Sequence, residues 1–98
     1  MNIDKNIENG RAVFRLEGRL DSTTSPELEK ELMEVIGGLT ELVLDLEDLE
    51  YTSSAGMRVL LSAQRIMNAQ GSMKVINVRR EIMDIFEITG FNLILTIE

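Results

Sequence analysis

Serine and threonine hydroxyls are concentrated in two short polar stretches of this 98-residue sequence. The first is residues 21–25, Asp-Ser-Thr-Thr-Ser, and the second is residues 52–56, Thr-Ser-Ser-Ala-Gly. A serine hydroxyl can act as a nucleophile, cap the first turn of a helix or accept a phosphate. Each role requires different neighbours, so the residues around the two stretches decide among the three.

The sequence offers little of the chemistry that serine catalysis requires. It contains no histidine and no cysteine, so the commonest general base, thiolate chemistry and disulfides are all missing. No Gly-rich phosphate loop, nucleophile elbow or zinc motif is present. Glu47, Asp48 and Glu50 could hold a hard cation only weakly, and a solvated acidic loop is the preferred interpretation. We therefore predict that the protein is not an enzyme and has no metal site or cofactor.

Charge and hydropathy restrict the partners and the location. The net charge is −7, and the ten Lys and Arg residues are scattered. Nucleic acid and anionic membranes are therefore disfavoured as main partners, because both reward clustered cations. The adjacent pair Arg79-Arg80 is interpreted as a solvated turn. There is no signal-peptide pattern and no apolar run near the roughly 18 residues that span a bilayer. We expect a single cytoplasmic domain, residues 1–98.

Hydrophobic periodicity places both polar stretches between regular elements. Four apolar, β-prone runs predict strands at residues 11–20, 42–46, 73–78 and 93–97. A short strand around Ile3 is expected to form a hairpin with the first run. Three helices with apolar residues at helical spacing are predicted to end at Gly37-Gly38, near Gly71 and at Gly90.

A hairpin followed by alternating strands and helices predicts an α/β domain with a mixed, mostly parallel sheet and helices packed on it. Functional residues in such folds gather where strands end and helices begin, as both polar stretches do. In the first stretch, Thr24 and Glu27 have the spacing of a capping box; alternatively Ser25 is the cap and Pro26 the first helical residue. Spacing alone does not show whether the two turns are adjacent in space.

From the residues alone, an N-cap is the favoured interpretation of Ser53-Ser54. The alternative is a phosphorylation switch, because unpaired N–H groups and the helix dipole favour negative charge at a helix N-terminus. A phosphoserine would add about −1.5 to −2 charges and repel an acidic or apolar docking surface without unfolding the domain. Ala55 and Gly56 have little bulk, which would allow another protein to approach closely.

Residues 44–61 resemble the signature of STAS domains, specifically the bacterial anti-sigma factor antagonists. Their sequence is Leu-Asp-Leu-Glu-Asp-Leu-Glu-Tyr-Thr-Ser-Ser-Ala-Gly-Met-Arg-Val-Leu-Leu. Three further stretches match the family in order and spacing: residues 16–21, 73–78 and 86–91. The resemblance extends over nearly the whole chain, and the four stretches together are more specific than any one of them.

The resemblance implies a partner-switching phosphoprotein. In the family, a serine kinase that is also the anti-sigma factor phosphorylates the antagonist at the serine opening the second helix. The unmodified antagonist binds the anti-sigma factor and frees sigma, and a metal-dependent serine phosphatase reverses the modification. Matching to the family pattern Asp-Ser-x-Gly implies Ser54 as the phosphoacceptor. The implied docking face consists of Asp21, Ser22, Ser53, Gly56 and Met57.

The sequence departs from the family pattern in two places. Ser53 occupies the position of the family's Asp, which removes a carboxylate beside the acceptor and makes Ser53 the nearest competing acceptor. The sequence also stops at Glu98, where many relatives carry another helix, so sheet surface covered in relatives is expected to be exposed or covered by a partner. The alternative function is a structural STAS subunit of a transport ATPase or a signalling complex, with Ser54 only a cap.

Overall fold

Helices cover one face of a four-stranded sheet in the computed structural model, which describes residues 1–98. The elements in chain order are β1 (Asn2–Glu8), β2 (Arg11–Leu20), α1 (Ser25–Val35), β3 (Glu41–Thr52), α2 (Ser54–Gln70), β4 (Ser72–Ile76) and α3 (Arg80–Thr89), with single 3₁₀ turns at Ile36–Gly38 and Phe91–Leu93. The strand order is β1-β2-β3-β4; β1 is antiparallel to β2, and the other pairs are parallel. This topology confirms the predicted fold class.

The N-terminal hairpin closes at Asn9 and Gly10, whose φ angles are both positive, 51° and 77°. Positive φ at both central residues characterises the two-residue turn whose twist matches that of the flanking strands. The turn sets a continuous register from Glu8 opposite Arg11 to Asn2 opposite Glu17. β1 is therefore seven residues long, longer than the short strand predicted around Ile3. Its apolar pattern is weak because it is an edge strand and most of its side chains are exposed.

The core lies between the sheet and the three helices. Alternate residues of β2, Ala12, Phe14 and Leu16, are buried against the helices, as the period of two in a strand requires. The helices bury their apolar sides on this face, through Leu28 and Leu32 of α1, Leu60, Ala63 and Met67 of α2, and Ile82 and Phe86 of α3. The opposite face of the sheet is charged and carries ion pairs from Arg11 to Glu41 and from Arg15 to Asp45.

The acidic stretch 47–50 belongs to β3, so the prediction of a solvated loop there was wrong. β3 contains one additional residue relative to β2 at each of two irregularities: Arg15 to Glu17 is matched by Asp45 to Asp48, and Gly18 to Arg19 by Leu49 to Tyr51. Each bulge interrupts the alternation of buried and exposed residues. Leu46, Leu49 and Thr52 are consequently buried at intervals of three, a pattern that does not resemble a strand in the sequence.

The predicted last strand, residues 93–97, does not form as a regular strand. Gly90 adopts a left-handed conformation, and the chain turns through Phe91–Leu93 before it reaches the sheet. Only one isolated bridge follows, between Ile97 and Val75, held by hydrogen bonds from Val75 N–H to Thr96 O and from Glu98 N–H to Val75 O. Too few residues then lie beside β4 to build a ladder. β4 also ends earlier than predicted, at Ile76, before Asn77 with a positive φ of 56°.

Candidate functional site

The two polar turns are adjacent in space. The parallel register of β2 and β3 places Leu20 opposite Thr52, the last residue of each strand. The next backbone N–H, that of Ser53, donates to the carbonyl oxygen of Leu20 at 2.8 Å. After each of these two strands, the chain leaves the sheet at this edge and begins a helix. The β2–α1 turn and the β3–α2 turn thus form one continuous surface, which spacing alone did not show.

The β2–α1 turn is organised by the carboxylate of Asp21. Its Oδ1 accepts hydrogen bonds from the backbone N–H groups of Thr23, at 2.9 Å, and Thr24, at 3.1 Å. These bonds, that of Thr24 contributing most, favour the ionised carboxylate and lower the pKa of Asp21 from its ordinary value of 3.8. Ser22 follows Asp21 in this turn and is exposed. Asp21 is thus a negative charge held in place beside α2.

The predicted capping box of Thr24 and Glu27 does not form. Thr24 is the N-cap residue of α1, but its side chain makes no cap hydrogen bond. The hydroxyl instead accepts from the N–H of Asp21 at 2.9 Å and donates to the carbonyl oxygen of Arg19 at 2.8 Å. Pro26 lies in the first turn of α1, one position later than in the alternative prediction, because the helix begins at Ser25. The Thr24 side chain therefore stabilises the β2–α1 turn and does not cap α1.

Ser53 and Ser54 have different structural roles. Ser53 is the N-cap of α2, and its Oγ accepts from the N–H of Gly56 at 3.3 Å. Its carbonyl oxygen accepts from the N–H of Met57 at 3.0 Å. Ser54 is the first residue of the helix; its side chain is exposed and makes no hydrogen bond within the chain. The hydroxyl left free for chemistry is therefore that of Ser54.

Gly56 and Met57, both assigned to the docking face from the family resemblance, are buried. A Cβ at Gly56 would lie 2.6 Å from Leu20 Cγ and 2.7 Å from Thr52 Oγ1. Packing inside the domain therefore requires a small residue at this position. Met57 is 5% exposed, and its Sδ lies 4.0 Å from Thr89 Oγ1 at the end of α3. These two residues support the surface from beneath and offer little area to a partner.

Two arginines near the site were not identified from the sequence. The Arg19 guanidinium lies over the ring of Tyr51, 4.2 Å from its centroid. Arg19 lies opposite Tyr51 only because two bulges shift the register of β2 against β3, so sequence spacing did not reveal the contact. Arg58 is exposed on α2, four residues after Ser54. The i, i+4 spacing of Ser54 and Arg58 could have indicated from the sequence that the two side chains lie on the same side of a helix.

The surface around Ser54 contains no cavity. Each of the four depressions on the protein lies elsewhere, and Asp21, Ser53 and Ser54 line none of them. Small-molecule sites are usually concave, whereas protein-docking surfaces need not be. None of the helices combines the length and apolar character that crossing a bilayer demands.

The family model of the STAS domain matches residues 2–98 of the chain. BtrV of Bordetella bronchiseptica, an anti-sigma factor antagonist by name, is 38% identical over 84 residues, which are 84% of this chain and 72% of that protein. The unphosphorylated form of the anti-sigma factor antagonist SpoIIAA superposes with a TM-score of 0.79 at 20% identity, covering 99% of this chain and 87% of that one. The phosphorylated form of SpoIIAA from Bacillus has a TM-score of 0.77 at 20% identity, covering 99% and 91%.

Proposed function

The chain belongs to the STAS domain family, and on that basis we propose that it is an anti-sigma factor antagonist, not an enzyme. Its unphosphorylated form binds an anti-sigma factor that is also a serine kinase, and this binding releases a sigma factor in the cytoplasm. The kinase phosphorylates Ser54, which abolishes docking. A metal-dependent serine phosphatase restores the active form.

The exposed hydroxyl of Ser54 is the observation that carries this proposal. Because Ser53 supplies the cap of α2, the Ser54 side chain has no structural hydrogen bond to lose when it is modified. The Ser53 hydroxyl, in contrast, already accepts from Gly56 N–H, and its residue is only partly exposed. A kinase therefore reaches Ser54 without disrupting the start of the helix, and Ser54 is the better acceptor of the two.

A phosphate on Ser54 would act through charge rather than through unfolding. The first turn of α2 tolerates a dianion, because free N–H groups and the helix dipole favour negative charge there. The docking surface already contains the ionised Asp21, and the chain as a whole carries −7. The modification would add about −1.5 to −2 charges to that surface. SpoIIAA, which has the same fold, is known in both phosphorylated and unphosphorylated forms.

The proposal is tested with a purified anti-sigma factor kinase from the organism that encodes this protein. We expect phosphate on Ser54 in the wild type and in Ser53→Ala, and none in Ser54→Ala. Ser54→Ala should bind the kinase as tightly as the wild type, whereas Ser54→Glu should bind at least about tenfold more weakly, since like charges in an interface are costly. Phosphate found on Ser53 would show that Ser53, and not Ser54, is the phosphoacceptor. No phosphate on either serine, with unchanged binding by Ser54→Glu, would favour the structural-subunit alternative.

A further inference from the structure

One unpaired cation lies on the first two turns of α2. Arg58 is exposed, and it takes part in none of the four ion pairs of the structure and in no side-chain hydrogen bond. Four other basic residues, Lys5, Arg11, Arg15 and Lys74, have acidic partners. The guanidinium of Arg58 is therefore free to bind an anion that the unmodified chain lacks.

The position of Arg58 relative to Ser54 suits such a contact. Both side chains are exposed, and both residues lie within the regular helix Ser54–Gln70, at i and i+4. Residues at this spacing lie on the same side of a helix, with Cβ atoms about 5–6 Å apart. The favourable order places the anion towards the N-terminus and the cation towards the C-terminus, as here. A guanidinium also matches the geometry of a phosphate, because it can donate two parallel hydrogen bonds.

Arg19 and Asp21, the charged residues on either side of Leu20, are less suited to bind a phosphate on Ser54. Arg19 is held over the ring of Tyr51. Both residues precede the buried Leu20 and Thr52, so the alternation of the strands directs them to the face of the sheet opposite the helices. Asp21, on the β2–α1 turn, is acidic and would repel a phosphate.

We propose that Arg58 binds the phosphate of phospho-Ser54 and holds it against the side of α2. This inference rests on the proposed assignment of Ser54 as the phosphoacceptor. The guanidinium partly neutralises the charge of the phosphate. It also fixes the position of the remaining negative charge relative to a docking partner. The pair also distinguishes the two serines, since Ser53 is the N-cap, five residues before Arg58 and outside the helix.

The experiment uses full-length protein with phosphoserine incorporated at position 54 during translation, so that no kinase is needed. Phosphorus NMR measures the second pKa of the phosphate, about 6 in a free phosphoserine, in the wild type, Arg58→Gln and Arg65→Gln. Arg65 is a matched control, because it is also exposed on α2 and unpaired but lies eleven residues from Ser54. We expect this pKa to be about 0.2–0.4 unit higher in Arg58→Gln than in the other two proteins.

Equal pKa values in the wild type and Arg58→Gln would overturn the inference. Equal increases in both variants would also overturn it, because they would reflect net charge rather than a specific pair. Thermal unfolding of the unphosphorylated variants establishes that each is folded. If the kinase does not phosphorylate Ser54, the proposed function is rejected, but the titration of the incorporated phosphoserine is unaffected. Failure of the proposed function and failure of this inference are therefore distinguishable.

Discussion

The backbone N–H of Ser53 donates to the carbonyl oxygen of Leu20 across 2.8 Å, one residue beyond the last paired positions of β2 and β3. This bond fixes the start of α2 against the β2–α1 turn. The ionised Asp21 and the free hydroxyl of Ser54 consequently share one surface, although the two residues lie far apart in the sequence.

Removing the hydroxyl of Ser53 should destabilise the domain, whereas removing that of Ser54 should not. Ser53→Ala loses the N-cap hydrogen bond to Gly56 N–H, which we expect to lower the free energy of unfolding by about 0.5–2 kcal/mol. Ser54→Ala removes an exposed side chain without a partner, and a change within about 0.5 kcal/mol is expected. Urea denaturation measures both. The reverse order would show that Ser54 is the structural cap.

Adding a methyl group at Gly56 should be costly. The new Cβ would lie 2.6 Å from Leu20 Cγ and 2.7 Å from Thr52 Oγ1, and relief requires shifts at the ends of both central strands. We expect Gly56→Ala to lower the free energy of unfolding by about 1–3 kcal/mol in urea denaturation. Gly37→Ala is the matched control: no atom lies within 4 Å of its Cβ position, and its stability should be unchanged or slightly increased. Equal effects of the two substitutions would contradict the packing role of Gly56.

The contribution of Asp21 should depend on pH. Its pKa is lowered in the folded state, so the carboxylate stabilises the fold above the unfolded value, near 3.8, and this stabilisation is lost as the pH falls through the folded value. Asp21→Asn keeps an acceptor oxygen but does not titrate. We therefore expect the difference in unfolding free energy between the wild type and Asp21→Asn to shrink below about pH 4.

Urea denaturation at a series of pH values measures the contribution of Asp21. The comparison with Asp21→Asn cancels the titration of the other carboxylates, which are common to both proteins. A difference that stays constant from neutral pH to about pH 3 would show that the hydrogen bonds of Asp21 do not depend on its charge.

The buried amide of Gln64 should protect the C-terminal segment. Gln64 is 1% exposed; its Oε1 accepts from the N–H of Thr96 at 3.1 Å, and its Nε2 donates to Asn68 Oδ1 at 2.8 Å. We expect Gln64→Leu to accelerate hydrogen exchange of the Thr96 N–H by about tenfold, because a bond of about 1–1.5 kcal/mol is lost.

Asn68→Ala is the control for this measurement, since it removes a partner of Gln64 but leaves the bond to Thr96 in place. It should leave exchange at Thr96 nearly unchanged. Similar protection of the Thr96 N–H in Gln64→Leu and the wild type would mean that the bridge between Val75 and Ile97 holds the segment by itself.

Elements with an uninterrupted local pattern were predicted well. The bounds of α2 and α3 follow from helical spacing and from Gly71 and Gly90 at their ends, and β2 follows from its alternation after a turn. The second half of β3 was missed because two bulges break that alternation. The capping box was predicted from the spacing of Thr24 and Glu27. It does not form because the Thr24 hydroxyl makes hydrogen bonds with the backbone of Asp21 and Arg19 instead.

The sequence by itself determined the order of strands and helices as far as α3, the family, and the two polar turns as the place to look for function. These depend on interactions between residues close in the chain, or on motifs that are written in it. Only the tertiary structure decided that the turns meet, that Ser53 is the cap while Ser54 is free, and that Gly56 faces Leu20. Those relationships depend on the register of β2 against β3, which is set by packing between strands distant in the sequence.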